Sequence, residues 1–199
     1  MAYSAKKKFG WSRNDLKPYD GGITKKDTAL DDDVQLRSLY VRRDVINAND
    51  IRKWAKSQGF NVTMPASQMH VTVVYSKTPI NWLHVGADRW HEDDEGHITV
   101  NPGGPRVVEK FGDAIVLAFA NSLLTYRHLD AIEAGASYDF DEYTPHVTFT
   151  YTMPEGMDLD KVIPYRGKIV LGPEIFEEIK ESFDPKTITE DAKPKEQKL

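Results

Sequence analysis

A chain of 199 residues with 40 % hydrophobic and 29 % charged content can bury a core of ordinary size, which excludes global disorder. No apolar run approaches the roughly 18 residues that a membrane helix needs, and none follows the basic start in the manner of a secretory signal. Without cysteine there is no disulfide framework or thiolate chemistry, and the net charge of −5 conceals a polarity along the chain. Residues 1–26 carry seven Lys/Arg against two Asp, which leaves residues 27–183 at about −10. An acidic body of this kind is a poor host for long nucleic acid, yet it can hold a small anion in one local pocket.

In chain order, residues 1–33 lack sustained periodicity and read as a basic, flexible leader. Gln35 to Arg42 is a strand. Asn47 or Asn49 caps a short helix whose Ile51, Trp54 and Ala55 share a face, and Gly59 is placed to end it. His70 to Tyr75, rich in Val and Thr, is a second strand. The turn signals Glu95-Gly96 and Pro102-Gly103-Gly104-Pro105 divide Leu83–Phe111 into hairpin-like strands. Asp113 to Ala120 is an apolar strand, followed by a helix capped at Asn121 or Ser122 and running to about Ala134. A Thr-rich strand follows Pro145, and two more are expected at Tyr165–Leu171 and Glu174–Ile179. The tail, 184–199, is charged and expected to be disordered, so the folded domain spans 34–183.

The order strand, helix, His-x-Thr strand thus occurs twice, as His70-Val71-Thr72 and His146-Val147-Thr148, with the histidines 76 residues apart. Side chains alternate along a strand, so His70 and Thr72 share one face, and so do His146 and Thr148. The opposite faces, Val71, Val73 and Tyr75 in one copy and Val147, Phe149 and Tyr151 in the other, read as core. Two such lobes would turn their polar faces toward one groove. Cleaving a phosphodiester requires one group to take a proton from the nucleophile and another to protonate the leaving oxygen. An imidazole, with an unperturbed pKa of about 6.5, serves either role near neutrality. A Thr hydroxyl two residues away can donate to a non-bridging phosphate oxygen. One His-x-Thr in a strand is usually incidental; two in matching contexts are not so easily dismissed.

On these motifs the sequence resembles the 2H phosphoesterase superfamily and, within it, the bacteriophage anti-CBASS cyclic-oligonucleotide phosphodiesterases. The likeness is carried by Leu39-Tyr40-Val41, the helix Ile51–Gly59, His70 through Ser76, Gly135 through Tyr151, and Gly172-Pro173-Glu174. The resemblance implies an α+β, bilobal pseudo-two-fold fold, with two antiparallel sheets facing a central groove and helices outside. It implies hydrolysis of cyclic di- or trinucleotide messengers in the cytoplasm of an infected host, which would let a phage evade CBASS immunity. By the matched motifs, His70, Thr72, His146 and Thr148 would be catalytic, and Tyr40 and Glu174 would contact substrate. Two rival readings stay open: a 2H phosphodiesterase acting on linear RNA or cyclic-phosphate ends, and a non-catalytic nucleotide-sequestering or phage structural module. No protein partner is indicated.

Other features favour bland readings. Tyr40 offers a flat ring to a base, or simply packs at a strand end. Trp82 and Trp90 suit packing better than a ligand lid. His84, His91 and His97 lie among Asp88, Glu92, Asp93, Asp94 and Glu95, but no zinc spacing is present and a solvated acidic loop is favoured. Pro102-Gly103-Gly104-Pro105 is a turn, since no helix follows it directly. Neither a metal nor a cofactor is therefore expected. Turnover should persist in excess EDTA; a loss that Zn²⁺ or Mn²⁺ restores would redirect attention to the loop from His84 to His97.

Overall fold

The computed structural model describes residues 35–180, so the expected leader, 1–33, and tail, 184–199, lie outside the described residues. Two antiparallel sheets are formed, in the α+β arrangement expected. The first contains β1 (Arg37–Val45), β2 (His70–Ile80), β3 (Ile98–Val100) and β7 (Ile169–Glu177), in the order β2-β1-β7-β3. The second contains β4 (Arg106–Phe111), β5 (Ala114–Phe119) and β6 (His146–Thr150), in the order β4-β5-β6. The helices are α1 (Ala48–Ser57), the single turn α2 (Trp82–Val85) and α3 (Ser122–Glu133). Among the described residues no helix is long and apolar enough to cross a membrane.

The expected repeat is present as β1-α1-β2 and β5-α3-β6, each His-x-Thr strand pairing antiparallel with the strand that precedes its helix. The helices are exchanged between repeats. From α1, Trp54 meets Phe149 of β6 edge-on at 5.2 Å, and Phe60 just beyond the helix meets the same ring at 4.9 Å. In return α3 packs under β2, where the buried His128 donates from Nδ1 to the carbonyl of Val73 at 2.7 Å. The segment after each helix continues the exchange. The Met64 amide donates to the Phe149 carbonyl at 2.7 Å, and the Ser137 amide to Ser76 Oγ at 2.8 Å. Each motif strand therefore rests on the other repeat's helix and following loop, which holds one sheet against the other.

Local chemistry explains most element ends. Of the two residues expected to cap α3, Asn121 does so, accepting from the Leu124 amide at 3.0 Å. Asn47 stands at the start of α1 but makes no cap bond; its amide group instead pairs with Val170 N and Lys168 O beside β7. Gly59 takes φ of +97°, a left-handed turn that ends α1 with no Cβ penalty.

Three expectations change. Leu83–Phe111 is not a set of hairpins: β3 joins the first sheet and β4 the second, so Pro102–Pro105 carries the chain between sheets. The two final strands are one, β7, because a register irregularity opposite Asp44 accommodates Gly172 and Pro173, whose ring nitrogen cannot donate to a ladder. Tyr75 is 40 % exposed and not core, because the pairing skips from Val41↔Val74 to Arg42↔Thr72. That bulge buries Val73 and Val74 in succession and turns Tyr75 to the face of His70 and Thr72.

A buried ionic network ties α3 to the first sheet. Glu174 on β7 accepts from Arg127 of α3 through Nε at 2.9 Å and Nη2 at 2.9 Å, with side chains only 4 % and 2 % exposed. Arg43 of β1, fully buried, pairs with Asp88 and donates to the carbonyls of Gly96 and Gly172, each at 2.7 Å. Removing one member strands buried charge, which is costly. Glu174→Ala should lower stability by roughly 3–5 kcal/mol in urea denaturation; a loss under about 1 kcal/mol would contradict this role.

Candidate active site

Cross-strand partners share a sheet face, so the pairs Tyr40↔Tyr75, Arg42↔Thr72 and Asp44↔His70 make one continuous polar face on the first sheet. From β7, Glu177 pairs with Tyr40 and adds its carboxylate there, where Arg42 Nε reaches it at 3.5 Å and Arg42 also pairs with Asp44. On the second sheet His146 and Thr148 pair with Ala118 and Val116, and Val107 and Glu109 are the next partners along that face.

The two histidines are held alike. His70 Nδ1 lies 2.8 Å from the Gln68 carbonyl, and His146 Nδ1 lies 2.8 Å from the Thr144 carbonyl. A carbonyl can only accept, so both rings must carry hydrogen on Nδ1, and in the neutral ring Nε2 keeps its lone pair. The geometry fixes the tautomer twice by the same device, a carbonyl two residues upstream. His70 Nε2 accepts from the Tyr40 hydroxyl at 2.7 Å, and that hydroxyl lies 3.3 Å from Thr72 Oγ1. Tyr40 thus enters the cluster through its hydroxyl, its ring standing edge-on to both His70 and Tyr75. Beside His146, Phe111 meets the imidazole edge-on at 4.9 Å.

Burial sets the electrostatics. It lowers the His70 pKa, helped by the positive charge of Arg42 and by His146, while the bond to Gln68 and the Asp44 carboxylate oppose it. His146 is lowered too, again chiefly by burial, against its bond to Thr144 and the field of Glu109. The influence of His146 is the weakest of those acting on His70. Burial raises the Tyr40 phenol, so it remains a donor across the working range.

Of the residues singled out by sequence, His70, Thr72 and Tyr40 form one hydrogen-bonded group, and His146 acts on it only through a weak electrostatic influence on His70. Thr148 shares the His146 face. Glu174 is not brought to this cluster. It pairs with Arg43, on the face opposite Arg42 and Thr72, and its carboxylate is engaged by Arg127. Arg42 and Glu177, which sequence reasoning passed over, and Tyr75, which it assigned to the core, do reach the polar face; only the register reveals them.

A groove of about 1010 Å³ adjoins the second motif, lined by Val107, Glu109, Tyr126, Phe140 and the residues Thr144 and Pro145 that lead into His146. Trp82 donates to the Ser38 carbonyl and packs by Phe176, and Trp90 donates to Asp130, so both serve packing. In the acidic loop, Asp93, Glu95 and His97 bring ligand-type atoms within 4.8 Å of one another. Asp93 there accepts from the amides of Glu95 and His97, which closes an exposed turn.

A family model described as anti-CBASS protein Acb1 matches residues 37–186. A protein so described from Sphingomonas paeninsulae is 49 % identical over 155 residues, covering 77 % of this chain and 25 % of that one. Another, from Enterobacteria phage T4, is 30 % identical over 118 residues, covering 59 % of this chain and 70 % of that one. The chain thus spans about a quarter of the Sphingomonas relative's length. Among solved structures, E. coli LigT complexed with 3'-AMP is similar over 73 % of this chain and 97 % of that one, at 13 % identity and a TM-score of 0.46.

Because burial disfavours the charged ring, His70 and His146 should each titrate below 6.5 when followed by NMR of the ring Cε1–H. Below that pH the unfolded chain binds the more protons, so these groups should also weaken the fold as pH falls toward their folded values. Titration at or above 6.5 in the folded chain would contradict the burial argument.

Proposed function

The chain belongs to the anti-CBASS protein Acb1 family, and from that premise we propose that it is a metal-independent phosphodiesterase that hydrolyses cyclic di- or trinucleotide messengers. The observation that carries this reading is the twofold Nδ1 lock, which leaves each imidazole a working Nε2. His70 and His146 serve as general base and general acid, one neutral and one protonated. Thr72 and Thr148 donate their hydroxyls to the non-bridging phosphate oxygens. The Tyr40 hydroxyl lies where the phosphate must approach His70 and Thr72, so it is a substrate contact through oxygen. The groove beside His146 gives a base room, with Tyr126 and Phe140 exposed on its rim. Destroying such messengers in the host cytoplasm would counter CBASS, the role named in the relatives' description.

A ribonucleotide 3′–5′ linkage carries its own nucleophile, the 2′-hydroxyl, at an effective molarity on the order of 10⁵ M or more when aligned. The neutral imidazole takes the 2′ proton, the 2′-oxygen attacks phosphorus, and the protonated imidazole gives its proton to the departing 5′-oxygen. The ring opens to a linear product with a 2′,3′-cyclic phosphate, and exchange of roles lets water hydrolyse that phosphate.

His70→Ala or His146→Ala should cost about 10²–10⁴-fold in kcat. Thr72→Ala or Thr148→Ala should cost about 10–100-fold, the worth of a hydrogen bond to a charged group. Folded His146→Ala with near wild-type kcat would exclude the pair.

The nucleophile is tested with a cyclic dinucleotide lacking both 2′-hydroxyls, assayed by mass spectrometry beside the ribo form and a linear 2′,3′-cyclic-phosphate RNA. The deoxy ring should bind and resist cleavage while the ribo ring is opened. Rapid cleavage of the deoxy ring would favour direct attack by water, and cleavage of the linear RNA alone would favour the RNA-end reading.

A further inference from the structure

The two motifs lie in different sheets, so no backbone ladder sets their spacing, and something else must hold one against the other. The bulge in β2 falls directly after Thr72, and two consecutive carbonyls there are engaged by donors of the second repeat. The Thr72 carbonyl accepts from the Tyr143 hydroxyl at 2.9 Å, and the Val73 carbonyl accepts from His128 Nδ1 at 2.7 Å. These donors are themselves stacked, with ring centroids 4.2 Å apart and planes 4° from parallel. Tyr138 closes the far side of His128 edge-on at 4.5 Å.

The position of Tyr143 gives the stack its meaning. It lies three residues before His146, and the intervening Thr144 supplies the carbonyl that locks the His146 ring. One short segment therefore grips the backbone of the first motif with Tyr143 and orients the histidine of the second with Thr144. We propose that Tyr143, backed by His128, is a positioning residue that fixes the spacing of the two His-x-Thr motifs through the Thr72 carbonyl. The proposal rests on the phosphodiesterase reading for its kinetic consequence, but its structural consequence stands apart.

The chemistry suits the task. Stacked on each other and each tied to a backbone carbonyl, the two donors keep little rotamer freedom. Burial pushes the Tyr143 phenol far up, so it keeps its proton at any working pH, and the His128 Nδ1 keeps its hydrogen toward Val73 in the neutral and the charged ring alike. The grip is thereby insensitive to the titration of His70 and His146. Near-attack alignment is demanding, and small displacements of reacting groups are costly in rate while leaving binding largely intact.

The test is Tyr143→Phe, which keeps the ring and removes only the hydroxyl. With a cyclic diribonucleotide, kcat should fall about tenfold and KM should stay within about twofold. In the free protein the Cε1–H NMR signals of both His70 and His146 should move, although the lost hydroxyl bonds to neither ring. His128→Leu, which removes both the stacked ring and the donor to the Val73 carbonyl, should reproduce the kcat loss, and His128→Asn, which keeps a donor but loses the ring, should recover only part of it; this pair decides the matter if Tyr143→Phe does not fold. Wild-type kcat with both signals unmoved overturns the proposal, as does a shift of the His146 signal alone. A wild-type chain that opens no cyclic dinucleotide overturns the phosphodiesterase reading alone, and the NMR arm then still decides the positioning role.

Discussion

Two hydrogen bonds of 2.8 Å, from His70 to the Gln68 carbonyl and from His146 to the Thr144 carbonyl, constrain everything the site can do. An imidazole free to flip would present either nitrogen; one tied at Nδ1 presents Nε2 in a fixed direction. The tie costs nothing extra in sequence, because the acceptor is backbone. It requires instead that the chain enter each strand at a set angle. Ahead of His70 this is done by the turn at Ala66–Gln68, ahead of His146 by Tyr143, Thr144 and the buried Pro145.

The entry angle depends in turn on the exchange of supports between repeats. Neither sheet could present a motif strand well alone, since β2 and β6 are both edge strands. Helix α1 lies under β6 through Trp54, and α3 under β2 through His128. Buried charge adds to this: Arg127 of α3 reaches across to Glu174 and to the carbonyls of Val85 and Gly86. A buried ion pair gains little over apolar packing in net stability, but it is intolerant of misregister. That intolerance fits a scaffold whose output is the relative placement of two rings.

The legible part of the sequence was local. The paired His-x-Thr motifs, the Asn121 cap and the repeat of strand, helix, strand all depend on residues near one another in the chain. Register was illegible because it depends on partners far away. A period-two reading sends Tyr75 to the core, and only the bulge at Val73 and Val74 returns it to the polar face. The same limit hid Arg42 and Glu177, which reach that face by strand pairing, whereas Glu174, named as a substrate contact by the resemblance alone, stands behind the sheet. Pro173 looked like a strand break, yet a strand may absorb a proline where its partner's ladder is already irregular.

The central claim is that both Nε2 atoms act on a single phosphorus. A crystal structure of the chain with a nucleoside vanadate, whose five oxygens imitate the geometry of in-line displacement, tests it most directly. The account predicts His70 Nε2 and His146 Nε2 within about 2.6–3.2 Å of the two opposite apical oxygens, with Thr72 and Thr148 hydroxyls on equatorial ones. Vanadate held by one histidine alone, or seated in the loop of Asp93, Glu95 and His97, would contradict it.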